Sequence, residues 1–137
     1  MRLYTSLALD ADGTLTTGDE VAIRHLLEDM KRRKVPVYLN TARLGPRRVT
    51  EQVDMLRWIP EHTRHLCRTP TQDVRQAKVL NLHYIRAREG TQHVILVDDL
   101  ADNVHAALEA GFSGVHAASG IDWTTVAHVH ALLRRLT

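Results

Sequence analysis

Two groups of carboxylates each follow an apolar run in this chain. Asp10-Ala11-Asp12-Gly13-Thr14 comes after Leu7-Ala8-Leu9, and Asp98-Asp99-Leu100-Ala101-Asp102 comes after Val94-Ile95-Leu96-Val97. A third apolar run, Val35 to Leu39, leads into Asn40-Thr41-Ala42-Arg43, and Lys78 lies upstream of the second acidic group. Carboxylates can attack an electrophile, move a proton or bind a hard cation through oxygen. Four or five of them in one cleft repel one another strongly unless a cation joins them. Thr41, Arg43 and Lys78 add a hydroxyl and two positive charges suited to anionic oxygens. The nine histidines are scattered, and no cysteine or acid completes a zinc pattern around His62 and His65.

These residues converge only if the chain brings the ends of the apolar runs together. Leu3 to Leu9, Val35 to Leu39, Arg64 to Cys67, His93 to Val97 and Gly114 to Ala117 read as strands. Their continuous apolar character suits strands covered on both faces, as in a parallel sheet. Helical spacing appears between them. Ile23, Leu26, Leu27 and Met30 share a face, with Thr17 and Glu20 as a capping box. Pro46 suits the first turn of a helix presenting Val49, Val53 and Leu56. Thr69, Pro70 and Gln72 read as another helix start, running to about Arg88. Val104, Ala107 and Leu108 line a short helix that Gly111 can end, and Asp122 can cap a last one presenting Val126, Val129, Leu133 and Leu136. The alternation predicts an α/β fold with a mostly parallel five-stranded sheet in three Rossmann-like layers. Ligands in such folds bind beyond the carboxyl ends of the strands, where all three polar groups lie.

Composition limits the alternatives. The 137 residues suit one domain, 1–137, with 44% apolar and 25% charged residues. No apolar run approaches the roughly 20 residues of a membrane span, and Leu7-Ala8-Leu9 is too short for a secretory leader. A single cysteine, Cys67, forms no internal disulfide and reads as a small buried residue. The expectation is a cytoplasmic, intracellular protein with no membrane partner. A formal charge of +2 permits an anionic partner without demanding one. Aromatics at 4% argue against a stacking platform for single-stranded nucleic acid.

With all four groups in order, the chain resembles the haloacid dehalogenase superfamily, most of whose members are Mg²⁺-dependent phosphatases. Asp10 to Thr14 matches the family's Asp-x-Asp-Gly-Thr motif, Thr41 its second motif and Lys78 its third. Asp98, Asp99 and Asp102 match the acidic fourth. The resemblance implies a phosphomonoester hydrolase working through an aspartyl-phosphate. Asp10 is then the nucleophile, and Asp12 the acid that protonates the leaving oxygen and later activates water. It also implies Mg²⁺ on Asp10, the Asp12 carbonyl and Asp98. Ala11, Gly13, Thr14, Thr41, Ala42, Arg43 and Lys78 then surround the phosphate. Asp99 and Asp102 are supporting residues; metal binding through water, orientation of Lys78 and helix capping are all open to them.

Thr41-Ala42-Arg43 is also similar to the phosphatase domain of phage polynucleotide kinase, although that family's longer loop with a further arginine is absent after the first motif. Neither Leu15 to Leu39 nor Arg68 to Ala77 has room for the cap domain found in many relatives. A capless site implies a large substrate, such as a phosphorylated nucleic-acid end steered by Arg43, Arg47 and Arg48, or an oligomer whose second subunit covers the cleft. The alternatives on similar folds are a non-catalytic phosphate-binding protein and a receiver-like signalling module.

Overall fold

A computed structural model describes residues 5–44, 59 and 63–136. Five strands form one sheet: β1 (Thr5–Leu9), β2 (Val37–Leu44), β3 (Arg64–Arg68), β4 (His93–Asp98) and β5 (Ser113–His116). Four helices are described among them: α1 (Glu20–Arg33), α2 (Val74–Glu89), α3 (Ala101–Glu109) and α4 (Trp123–Leu136). Every strand pair is parallel, and the order is β3-β2-β1-β4-β5. The expected parallel five-stranded sheet is present, and among the described residues every strand in it is parallel. The expected helix after Pro46, with Val49, Val53 and Leu56, lies outside the described residues, as do Arg47 and Arg48.

The apolar runs produce this architecture because strand side chains alternate between faces. Leu7, Leu9, Ile95 and Val97 enter one core with Ile23, Leu26 and Met30 of α1 and Val126, Val129 and Leu133 of α4. Ala8, Val94 and Leu96 enter the other, against Leu82 and Ile85 of α2 and Ala107 of α3. Two of the described helices thus cover each face, giving three layers. The buried Asp29 also joins α1 to α4: it lies 2.6 Å from His130 Nε2 and 3.0 Å from Arg33 Nε, and it pairs with the exposed Arg32.

Several local expectations change. Asp19, not Thr17, caps α1, accepting from the Val21 and Ala22 amides. The Thr17 hydroxyl is instead used at 2.7 Å on the Gly13 carbonyl. Thr69 and Gln72 do bond to each other, but as a turn, and α2 starts later because Asp73 accepts from the Gln76 amide. The second strand runs on to Leu44, so Thr41 lies within β2 rather than after it. Leu108 is exposed, whereas Asp122 caps α4 as expected, accepting from the Thr125 amide at 2.9 Å. Cys67 is half-buried rather than buried.

The register sets the site. Leu9 pairs with Leu39 on one side and Val97 on the other. One residue further, Asn40, Asp10 and Asp98 stand side by side at the carboxyl edge. Asp10 and Asp98 flank the point where the chain reverses its direction of travel across the sheet, the usual ligand crevice of open α/β folds. The two segments where the resemblance would place a cap are both described. Between β1 and β2 there is only a turn and α1, and between β3 and α2 only residues 69–73.

Candidate active site

The turn after β1 folds back on itself, with the Ala11 carbonyl accepting from the amides of Thr14, Leu15 and Thr16. Gly13 makes this possible. Its φ is +78°, and a Cβ there would lie 2.3 Å from Asp99 Oδ2. Only glycine lets the first acidic loop approach the second so closely.

Asp10, Asp98 and Asp99 converge, each offering an oxygen within 4.8 Å of the others. Asp10 and Asp98 are buried. Thr14 donates to Asp10 Oδ2 at 3.0 Å and faces Asp99 Oδ1 at 3.2 Å. Lys78, only 1% exposed, donates to Asp10 Oδ1 at 2.5 Å and Asp98 Oδ2 at 2.9 Å. Asp98 also accepts from the Leu100 amide at 3.0 Å and Asn103 Nδ2 at 3.2 Å. His116 Nε2 meets the Asp99 carbonyl at 2.9 Å. Burial pushes the Asp10 carboxyl up to about 7; Lys78 pulls it down, while Asp98 and Asp99 push it up.

Lys78 thus lies between two carboxylates, and a third, Asp99, stands close by in a partly buried space. All the donors are oxygen, the set a hard divalent cation prefers. Asp10, Asp98 and Asp99 fit such an ion, and Asp99 joins the set more closely than a supporting role implies. Asp12 turns the other way. Its carboxylate is half exposed and pairs with Arg43, whose Nε donates at 2.6 Å. That pairing raises the pKa of Arg43 above its ordinary value.

A cleft of about 300 Å³ opens here, lined by Asp10, Asp12, Gly13, Ala42, Lys78 and Asp99, with Val74, Leu100 and Asn103 completing it. Thr41 is buried, and its hydroxyl accepts from the Arg43 amide at 3.1 Å. Asp102 lies exposed in the first turn of α3, and the partners of Lys78 are other residues. Asn40, Asn81 and Asn103, to which sequence reasoning gave no role, all belong to the bonding around Lys78 and Asp98. Burial of an amide beside a buried lysine is their only signature, and it is visible only in three dimensions.

A second cleft, of about 470 Å³, lies at the opposite edge and includes Arg24, Lys31, Tyr38, Arg64, Arg88 and Glu89. Lys31 and Arg88 occupy the last turns of α1 and α2, where they offset the negative helix ends. Tyr38 donates to Glu89 at 2.7 Å, and burial together with that bond pushes its hydroxyl up to about 12. None of the acidic residues around Lys78 lines this cleft.

No protein-family model matches the chain, and no curated protein matches it by sequence. Among solved structures it is similar to an uncharacterized protein from Corynebacterium glutamicum, with a TM-score of 0.68 and 19% identity. The match covers 99% of this chain and 98% of that one. At this identity the likeness speaks for the fold alone: an α/β domain with a parallel sheet. No helix among the described residues is long and apolar enough to cross a membrane.

Proposed function

We propose that the protein is a phosphomonoester hydrolase of the haloacid dehalogenase type that works through an aspartyl-phosphate. The observation that carries this reading is the buried contact of Lys78 with Asp10 and Asp98, with Asp99 beside them, at the crevice of a parallel sheet. An Asp10 oxygen attacks phosphorus as the ester bond breaks, and Asp12 gives its proton to the departing oxygen. Water then attacks the phosphorus of the aspartyl-phosphate, returning a proton to Asp12 and freeing Asp10 and inorganic phosphate. Arg43 must release Asp12 for this, and a phosphate in the cleft offers the guanidinium an alternative partner. Mg²⁺ held by Asp10, Asp98 and Asp99, with the Asp12 carbonyl that the resemblance adds, would screen the carboxylates and draw charge from the phosphoryl oxygens. The strand order supports a hydrolase over a receiver-like module, whose sheets run 2-1-3-4-5 rather than 3-2-1-4-5.

The open cleft suits a phosphate on a bulky group, and a phosphorylated nucleic-acid end is the leading candidate. The test is a Mg²⁺-supplemented screen of sugar phosphates, nucleotides, phosphopeptides and 3′- or 5′-phosphorylated oligonucleotides. Turnover that EDTA abolishes and Mg²⁺ restores is expected, with oligonucleotide ends preferred. Full activity after thorough chelation contradicts the metal assignment, and efficient turnover of sugar phosphates alone contradicts the substrate class.

A further inference from the structure

The Lys78 ammonium has three N–H donors, and all three are committed: to Asp10 at 2.5 Å, to the Asn40 backbone carbonyl at 2.7 Å and to Asp98 at 2.9 Å. Asn40 also holds Lys78 at its other end, donating from Nδ2 to the Lys78 backbone carbonyl at 3.1 Å. Asn40 is fully buried, and its Oδ1 accepts from Asn81 Nδ2 at 2.9 Å. Asn81 lies one turn after Lys78 on α2 and reaches the Cys67 carbonyl of β3 at 3.4 Å. We propose that Asn40 is a positioning residue that clamps Lys78 at both ends, and that Asn81 anchors the clamp.

The physical need is plain. Lysine carries its charge on a flexible four-carbon stem. Fixing its carbonyl and its ammonium to a single strand residue defines the span that this stem must bridge. The ammonium is then delivered between Asp10 and Asp98 rather than to one of them. Because no donor is left over, Lys78 acts by fixing the carboxylate pair; it does not bind the phosphate directly while these bonds persist.

The kinetic consequence rests on the phosphatase reading, whereas the structural one does not. The chain has three lysines, and Lys31 and Lys34 are exposed. A slowly exchanging ammonium signal in ¹⁵N NMR of the full chain therefore reports Lys78. Wild type should show that signal. Asn40→Leu keeps the backbone carbonyl that accepts from Lys78 Nζ but removes both side-chain bonds that tie the strand to α2; with the stem's other end released, proton exchange should accelerate at least about tenfold or the signal should vanish, while circular dichroism stays native. In the kinetic arm, kcat should fall about 10–100-fold, the usual scale for removing a supporting hydrogen bond, with KM little changed. If Asn40→Leu does not fold, Asn81→Ala should accelerate the same exchange from outside the buried strand. Absence of the signal in wild type, or unchanged exchange in the folded variant, overturns the clamp. If no phosphate ester is turned over but the exchange responds, the clamp stands and the phosphatase reading falls.

Discussion

Asp10 and Asp12 are two residues apart yet occupy opposite environments. Asp10 is buried against Lys78, and Asp12 is half exposed against Arg43. This separation matches an attacker held in place and a proton carrier able to move. Asp12→Asn should therefore slow hydrolysis of alkyl phosphates about 10²–10⁴-fold, the range of general acid catalysis. It should slow p-nitrophenyl phosphate much less, because that leaving group needs little protonation. Equal losses on both substrates would remove Asp12 from the acid's role. The acids and Lys78 were legible in the sequence because charged residues directly after apolar runs, or upstream of one, invite a chemical reading. Asn40 and Asn81 were not. Their partners are 38 and 41 residues distant, and an uncharged amide at the end of a strand reads the same with or without them.

The elements were legible in kind and less so at their edges. Strand identity followed from runs such as Val94 to Val97, whose side chains are all buried. Helix starts depended on which of two nearby polar residues was free to cap. Thr17 is used by the turn after β1, so Asp19 caps α1. That turn gives a sharp test. Gly13→Ala combines a positive φ with a collision against Asp99, whereas Gly90→Ala, at φ +67°, meets open space. Gly90→Ala should cost only the backbone term, about 1–2 kcal/mol. Gly13→Ala should lower Tm further and impair activity more than Gly90→Ala does. Equal thermal shifts and activities in the two variants would mean that the approach of the two acidic loops is unimportant.

At the scale of the whole molecule, the acidic site couples stability to pH and metal. The ordinary value for an unfolded aspartate is 3.8, and in the fold Asp10 rises to about 7. Between about pH 4 and 7 the folded protein therefore holds the proton more tightly than the unfolded chain does. Stability contributed at low pH is lost as pH rises through that window. In EDTA, Tm should fall between pH 5 and 7.5 on this account, and millimolar Mg²⁺ should recover it at pH 7.5 by binding the folded state. A Tm that is flat with pH and indifferent to Mg²⁺ would mean that burial does not raise Asp10 and that the acidic site holds no cation. The sheet order was not legible from the alternation of elements, because several orders share it. It is the order that places Asp10 beside Asp98.

The proposed chemistry rests on phosphorylation of Asp10 during turnover. Rapid acid quench with a ³²P-labelled monoester and Mg²⁺, followed by peptide mapping, tests it most directly. A hydroxylamine-labile label on the peptide containing Asp10 is expected. In Asp10→Asn that label should be absent, and activity should fall by several orders of magnitude. A fully active wild-type enzyme carrying its label on another residue, or substantial activity in Asp10→Asn, would contradict it.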